Sequence, residues 1–180
     1  MQNTFGCSLP VINVRTYIKI FDGMVLPILL YGVEAWGPYI YDVDKYVDVG
    51  QLLTDFSSIV EKLHSKFCKH VLLVHKKASN IAVWTEMGRY PLIINITRQV
   101  CNYYINICNR NSKHIICHIM HIQKLLYGAQ RKYSWFKFLQ YVSECTSWKV
   151  VRIINKPFSC YIDVQMGLQE KYRMLLPHLL

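Results

Sequence analysis

Acidic side chains are scarce in this chain, and the scarcity is local. Between Lys62 and Lys137 there are thirteen Lys or Arg and a single acid, Glu86. Residues 1–61 have the opposite bias, three basic against seven acidic side chains, while residues 62–180 carry eighteen basic and four acidic ones. So one-sided a stretch excludes a surface laced with alternating ion pairs. It is the footprint expected of phosphate binding, because each neutralised phosphate releases condensed counterions; the competing reading is a solubilising face. Charge of either sign is sparse overall, 18% of residues against 52% hydrophobic ones, less than in an average domain. That leaves two readings: an apolar face that meets a partner or the rest of a larger protein, or an unusually apolar single domain.

Long hydrophobic runs are lacking as well. The best candidate, Gly23 to Val33, is eleven residues long, contains Pro27 and is bounded by Asp22 and Glu34. A bilayer-spanning helix needs about 20 apolar residues, so no transmembrane segment and no membrane partner is expected. The opening MQNTFGCSLP has neither the charged start nor the apolar run of a secretory leader. Seven cysteines, an odd number without framework spacing, predict free and mostly buried thiols in a reducing, intracellular compartment, cytoplasm or nucleus. Asn95-Ile96-Thr97 fits the glycosylation pattern and is read as accidental. There is no internal repeat and no low-complexity tract, and 180 residues suffice for one core.

What is present is helical periodicity. Apolar residues recur at helical intervals from Val11 to about Val33, with Pro27 as a kink or interruption. Residues 34–50 read as an acidic connector punctuated by Gly and Pro. Leu52 to Val71 reads as one helix whose apolar stripe is Leu52, Phe56, Ile59, Val60, Leu63, Phe67 and Val71, with Lys62, Lys66 and Lys69 beside it facing solvent. Asn80 is placed to cap a short helix over 81–87 that stops at Gly88. Pro91 suits the first turn of a helix reaching about Arg110. Further helices are expected at 113–127, 132–144 and 164–175, with a short strand pair at Val150–Ile154 and Cys160–Val164. The fold class is thus mainly α.

Two blocks carry most of the functional signal, FDGMVLPILLYGVEAWGP at 21–38 and EKLHSKFCKHVLLVHKKASNIAVWTEMGRYPL at 61–92. Pro27, Leu29, Tyr31, Gly32, Glu34 and Trp36 in the first, and Phe67, Cys68, Lys69, Asn80, Ala82, Glu86, Gly88, Arg89, Pro91 and Leu92 in the second, carry a resemblance. In order, spacing and rare residue types the chain resembles the region after the polymerase palm in non-LTR (LINE-like) retrotransposon reverse transcriptases, where a helical thumb begins. The resemblance covers roughly residues 12–110 and is looser beyond, at Ser134-Trp135. Two positions depart from it: Leu73 stands where the family has glycine after a leucine, and Trp84 replaces a smaller or different aromatic. The first leaves open the geometry of the turn before Lys76.

The resemblance implies a thumb-like helical bundle over residues 1–111, with residues 112–180 as a helical C-terminal extension, together one folding unit. It implies an RNA-directed DNA polymerase background, with an RNA or RNA/DNA duplex as partner and the palm of a full-length polymerase as a second. Polymerase chemistry needs carboxylates holding two magnesium ions, supplied in the family by a Tyr/Phe-x-Asp-Asp motif. This chain has no Asp-Asp pair. Tyr41-Asp42-Val43-Asp44 has the wrong spacing and follows the Tyr-Gly-x-Glu-x-Trp block instead of preceding it, so it reads as a solvated acidic loop. The expectation is a chain without catalytic residues, metal ligands or cofactor, magnesium being required only by the palm.

In the family the thumb contacts phosphates and sugars without reading sequence. Carried over, the candidate nucleic-acid contacts are Lys62, Lys66, Lys69, Lys76, Lys77 and Arg89. The first three stand at i, i+4 and i+7 on one helical face; a pairing of Glu86 with Arg89 would remove the arginine. Tyr103 and Tyr104 are either stacking platforms for bases or core residues, the commoner role. His114, Cys117, His118 and His121 share a helix face, but four ligands on one straight helix cannot surround an ion, and structural zinc sites use two separated pairs. The alternative function is a helical protein-interaction module whose basic segment meets an acidic protein. A third reading is a non-functional remnant whose apolar face lost its partner.

Overall fold

The computed structural model describes residues 13–110, 114–128, 135–145 and 157–179. Of the described residues, 77% are helical and none lies in a strand. The helices are α1 (Val14–Ile20), α2 (Leu26–Leu29), α3 (Val33–Ile40), α4 (Val49–Leu53), α5 (Ile59–Val71), α6 (Asn80–Glu86), α7 (Leu92–Cys108), α8 (Ile115–Gly128), α9 (Trp135–Cys145) and α10 (Pro157–Leu179). Of the expected strand pair, Cys160–Val164 lies within α10, where its apolar run continues a long helix; Val150–Ile154 falls outside the described residues.

α7 is the axis of the molecule. Ten of its residues are buried, among them Leu92, Ile94, Ile96, Val100, Cys101, Tyr104 and Ile107, on more than one face. Helices α3, α5, α8, α9 and α10 all pack against it, as expected of a helix apolar nearly all round. Most of the buried apolar residues form one cluster running from Leu30 to Tyr172. Thr97, the hydroxyl residue of the apparent Asn95-Ile96-Thr97 glycosylation pattern, is buried as well.

The sequence through Pro27 stays helical, with a π-turn at Phe21–Val25 in which the Leu26 N–H bonds the Phe21 carbonyl. Widening the backbone one turn ahead of the proline gives its ring room where a regular helix would clash. The expected connector at 34–50 is corrected: its first part is α3, which contains Gly37 and Pro38. A Cβ on Gly37 would lie 2.8 Å from Cγ2 of Ile96, so the glycine permits the close crossing of α3 over α7. Pro38 has no N–H for the Glu34 carbonyl one turn back. Trp135 on α9 takes up that carbonyl instead, its Nε1 donating at 2.7 Å.

The expected single helix from Leu52 to Val71 is two. Thr54 ends α4, its N–H returning to the Gly50 carbonyl. Ser58 opens α5 by accepting from the Glu61 N–H. The expected stripe is corrected too: Ile59 is 68% and Leu63 46% exposed, whereas Val60, Glu61, His64, Ser65 and Cys68 are buried. A second apolar surface is exposed along the π-turn and α2, where Met24, Ile28 and Tyr31 face solvent. No described helix is long and apolar enough to cross a membrane.

Candidate nucleic-acid interface

Helices α5 and α6 both end in the same turn, and those turns shape the candidate site. After α6, Gly88 takes φ 63°, its N–H reaches the Thr85 carbonyl, and the Arg89 N–H reaches that of Trp84. After α5, Leu73 takes φ 55°, its N–H reaches the His70 carbonyl, and the Val74 N–H reaches that of Lys69. This is the Schellman closure, which places a left-handed residue just past the helix. The turn before Lys76 therefore has the geometry a glycine would favour, with a leucine in it. Ser79, not Asn80, caps α6 by accepting from the Ala82 N–H, so the sequence placed that cap one residue late.

The turn folds Lys76 back beside α5, where the Lys69 ammonium donates to the Lys76 carbonyl at 2.9 Å. The result is a groove of about 390 Å³ lined by Lys62, Ser65, Lys66, Lys69, His70, Val74, Lys76 and Asn80. Four of the six candidate contacts thus converge, and no carboxylate lines the groove. Lys77 is exposed but stands outside it, its N–H donating to Nδ1 of His75. Among the described residues none of these five lysines has an ion-pair partner.

Arg89 turns inward instead. Its guanidinium grips both oxygens of Asp22 at 2.7 and 2.9 Å and lies 5.1 Å over the Phe21 ring. Its Nε donates to Nε2 of His64 at 3.3 Å. Pairing with Glu86 does not occur, and Arg89 joins the two sequence blocks across 67 residues. Nδ1 of His64 faces the Glu61 Oε2 at 3.7 Å, too far for a hydrogen bond. The ring is stacked between Phe21 and Trp84.

Glu61 closes the chain of contacts. Pro91 offers no side-chain cap to α7, and Oε1 of Glu61 accepts from the Ile93 N–H at 2.9 Å instead. A buried carboxylate from another helix thereby satisfies an otherwise orphaned donor at a positive helix end. Its charge and, first, burial raise the Tyr41 phenol well above its ordinary range. Burial also pushes the Cys68 thiol up to about 11. Glu61 and His64 escaped the sequence reading because periodicity assigns a buried face to apolar residues. Asn80 escaped it because its place suited a cap, and Ser65 because a lone serine among lysines carries no signal of periodicity or charge.

The remaining candidates are placed as follows. Asp42 pairs with Lys45 at 3.8 Å and Asp44 with Lys137. Tyr104 is buried against Trp135 and Phe136, and Tyr103 meets Trp135 edge to face, so both belong to the core side of the alternative. His114 accepts from the Ile116 N–H through Nδ1, and the Cys117 thiol donates to the Ile107 carbonyl. Among the described residues no group of three or more His, Cys, Asp or Glu is arranged to hold a metal ion.

The described part of the chain is a helical bundle carrying a basic groove. Comparison with family models, with curated proteins and with solved structures found no match.

Proposed function

We propose that this chain is a thumb-like part of a non-LTR retrotransposon reverse transcriptase that is catalytically inert by itself and binds RNA or RNA/DNA duplex without sequence preference. The observation that carries the reading is the convergence of Lys62, Lys66, Lys69 and Lys76 on one groove that no carboxylate lines. Unneutralised ammonium groups at helical spacing follow one phosphodiester backbone and position it. The resemblance of residues 21–38 and 61–92 adds to this, as does the left-handed backbone at Leu73, where the resembled family has glycine.

Binding of a labelled RNA/DNA hybrid, titrated with salt while helicity is followed, tests the reading. With four lysines on the backbone, log affinity should fall against log salt with a slope of about −3 to −4. Lys62, Lys66 and Lys69 changed together to Glu should abolish binding with helicity intact. Undiminished binding by that variant, or a folded protein that ignores the hybrid at low salt, would sink the proposal. The exposed Met24, Ile28 and Tyr31 favour a second reading, a helical module that meets a protein and no nucleic acid. Its mark is a pull-down unaffected by nuclease.

A further inference from the structure

The basic groove is lined by two polar groups besides its basic side chains. Ser65 stands three residues after Lys62 and four before Lys69, on the same face of α5. It lines the groove while only 5% exposed, and its Oγ has no hydrogen-bond partner. Asn80 lines the groove from α6, and its Oδ1 is likewise buried and unpartnered, since Ser79 does the capping. Buried polar atoms without partners are unfavourable, and although others occur in the core, on Glu61, His64 and Thr97, these two belong to residues lining one groove. Two of them in one lysine-lined groove form an arrangement that a ligand would complete.

The chemistry of the two atoms narrows the ligand. A phosphate oxygen only accepts, so it satisfies the ammonium groups and the Ser65 hydroxyl but not the Asn80 carbonyl oxygen. That oxygen needs a donor close to a phosphate. The ribose 2′-hydroxyl is such a donor, attached next to the phosphodiester, and deoxyribose has none. We propose that the groove is a ribose-phosphate subsite: the lysines hold the phosphodiester of an RNA strand, Ser65 donates to a phosphate oxygen, and Asn80 accepts from the 2′-hydroxyl. The proposal rests on the nucleic-acid reading above and adds that the RNA strand of a hybrid is the strand held.

Three duplexes of one sequence separate the possibilities: an RNA/DNA hybrid, the same hybrid with 2′-O-methylated RNA, and DNA/DNA. The hybrid should bind about tenfold more tightly than the DNA duplex, the worth of a well-made hydrogen bond or two. The methylated hybrid, which keeps its helical form but loses the donor, should fall to the level of DNA. Asn80→Ala should erase the hybrid preference, bringing the hybrid affinity to that of the DNA duplex measured on the same variant, with the thermal midpoint unchanged or raised. A structural role for Asn80 would lower the midpoint. Ser65→Ala should weaken all duplexes alike. Equal binding of hybrid and DNA duplex, a methylated hybrid as tight as the unmodified one, or a preference retained by Asn80→Ala each overturns the ribose subsite and leaves the nucleic-acid reading standing. No binding of any duplex at low salt overturns both.

Discussion

Replacing Leu73 with glycine should stabilise the protein, although it removes a large apolar side chain. The residue is 88% exposed, so little buried area is lost. Its φ of 55° puts Cβ against the following carbonyl oxygen, which for an L-residue costs about 1–2 kcal/mol. Glycine relieves that strain but adds freedom to the unfolded chain worth about 0.5–1 kcal/mol. The net gain is about 0.5–1 kcal/mol, and for a chain of this size 1 kcal/mol moves the thermal midpoint by about 2–4 °C. Urea unfolding followed by circular dichroism should show a higher midpoint concentration with an unchanged slope. Gly88 supplies the internal control, since it occupies the equivalent turn at φ 63° with nothing within 4 Å of an added Cβ. Gly88→Ala should therefore lower stability by about 1 kcal/mol through the backbone alone. Loss of stability in Leu73→Gly, alongside a neutral Gly88→Ala, would refute the strain argument. Duplex binding should not change with Leu73→Gly, because Lys76 is set by the turn and not by the side chain.

Two other outcomes follow from the buried contacts. Glu61→Ala should lower unfolding stability by about 3 kcal/mol, because it leaves the Ile93 N–H buried without an acceptor, whereas Glu61→Gln keeps an acceptor oxygen and should lose about 1 kcal/mol; a near-neutral alanine variant in urea titrations would show that α7 needs no cap from α5. Burial holds Tyr172 up at about 12 against 10.0 and raises Tyr41 and Tyr104 as well. Their folded values lie above the unfolded ones, so this contribution is intact below pH 10 and is lost as pH rises from 10 through 12. The thermal midpoint should decline over that interval, and less steeply in Tyr172→Phe, whose missing hydroxyl had no hydrogen-bond partner; a flat profile to pH 12 would contradict the burial of these phenols.

The sequence made some elements legible and hid others for identifiable physical reasons. α7, α8 and α9 came through because their apolar periodicity is long and their ends are marked by Gly88, Pro91 and the polar stretches between them. α3 was hidden because Gly37 and Pro38 are local signs of a connector. What overrides them is remote, the close packing of Ile96 and the Trp135 donor to the Glu34 carbonyl. The rotated face of α5 has a similar origin: Glu61 and His64 are buried by Ile93, Arg89, Phe21 and Trp84, none of them on that helix. Lys62, Lys66 and Lys69 were legible as a set because one helix carries them.

The same contrast divides the charges. Acids from the first third of the chain neutralise distant basic residues, Asp22 with Arg89 and Asp44 with Lys137. The five lysines from Lys62 to Lys77 receive no such partner among the described residues. Like charges one turn apart on a helix destabilise it by a few tenths of a kcal/mol per pair, and Lys62 and Lys66 stand at that spacing, with Lys69 a turn further on. The fold thus uses a long-range carboxylate to hold Arg89 while leaving the lysine groove uncompensated among the described residues. Water and salt can screen that groove, and Ser65 Oγ and Asn80 Oδ1 among its lining residues have no hydrogen-bond partner in the protein. A polyanion bearing hydroxyl groups would satisfy the charge and the oxygens together.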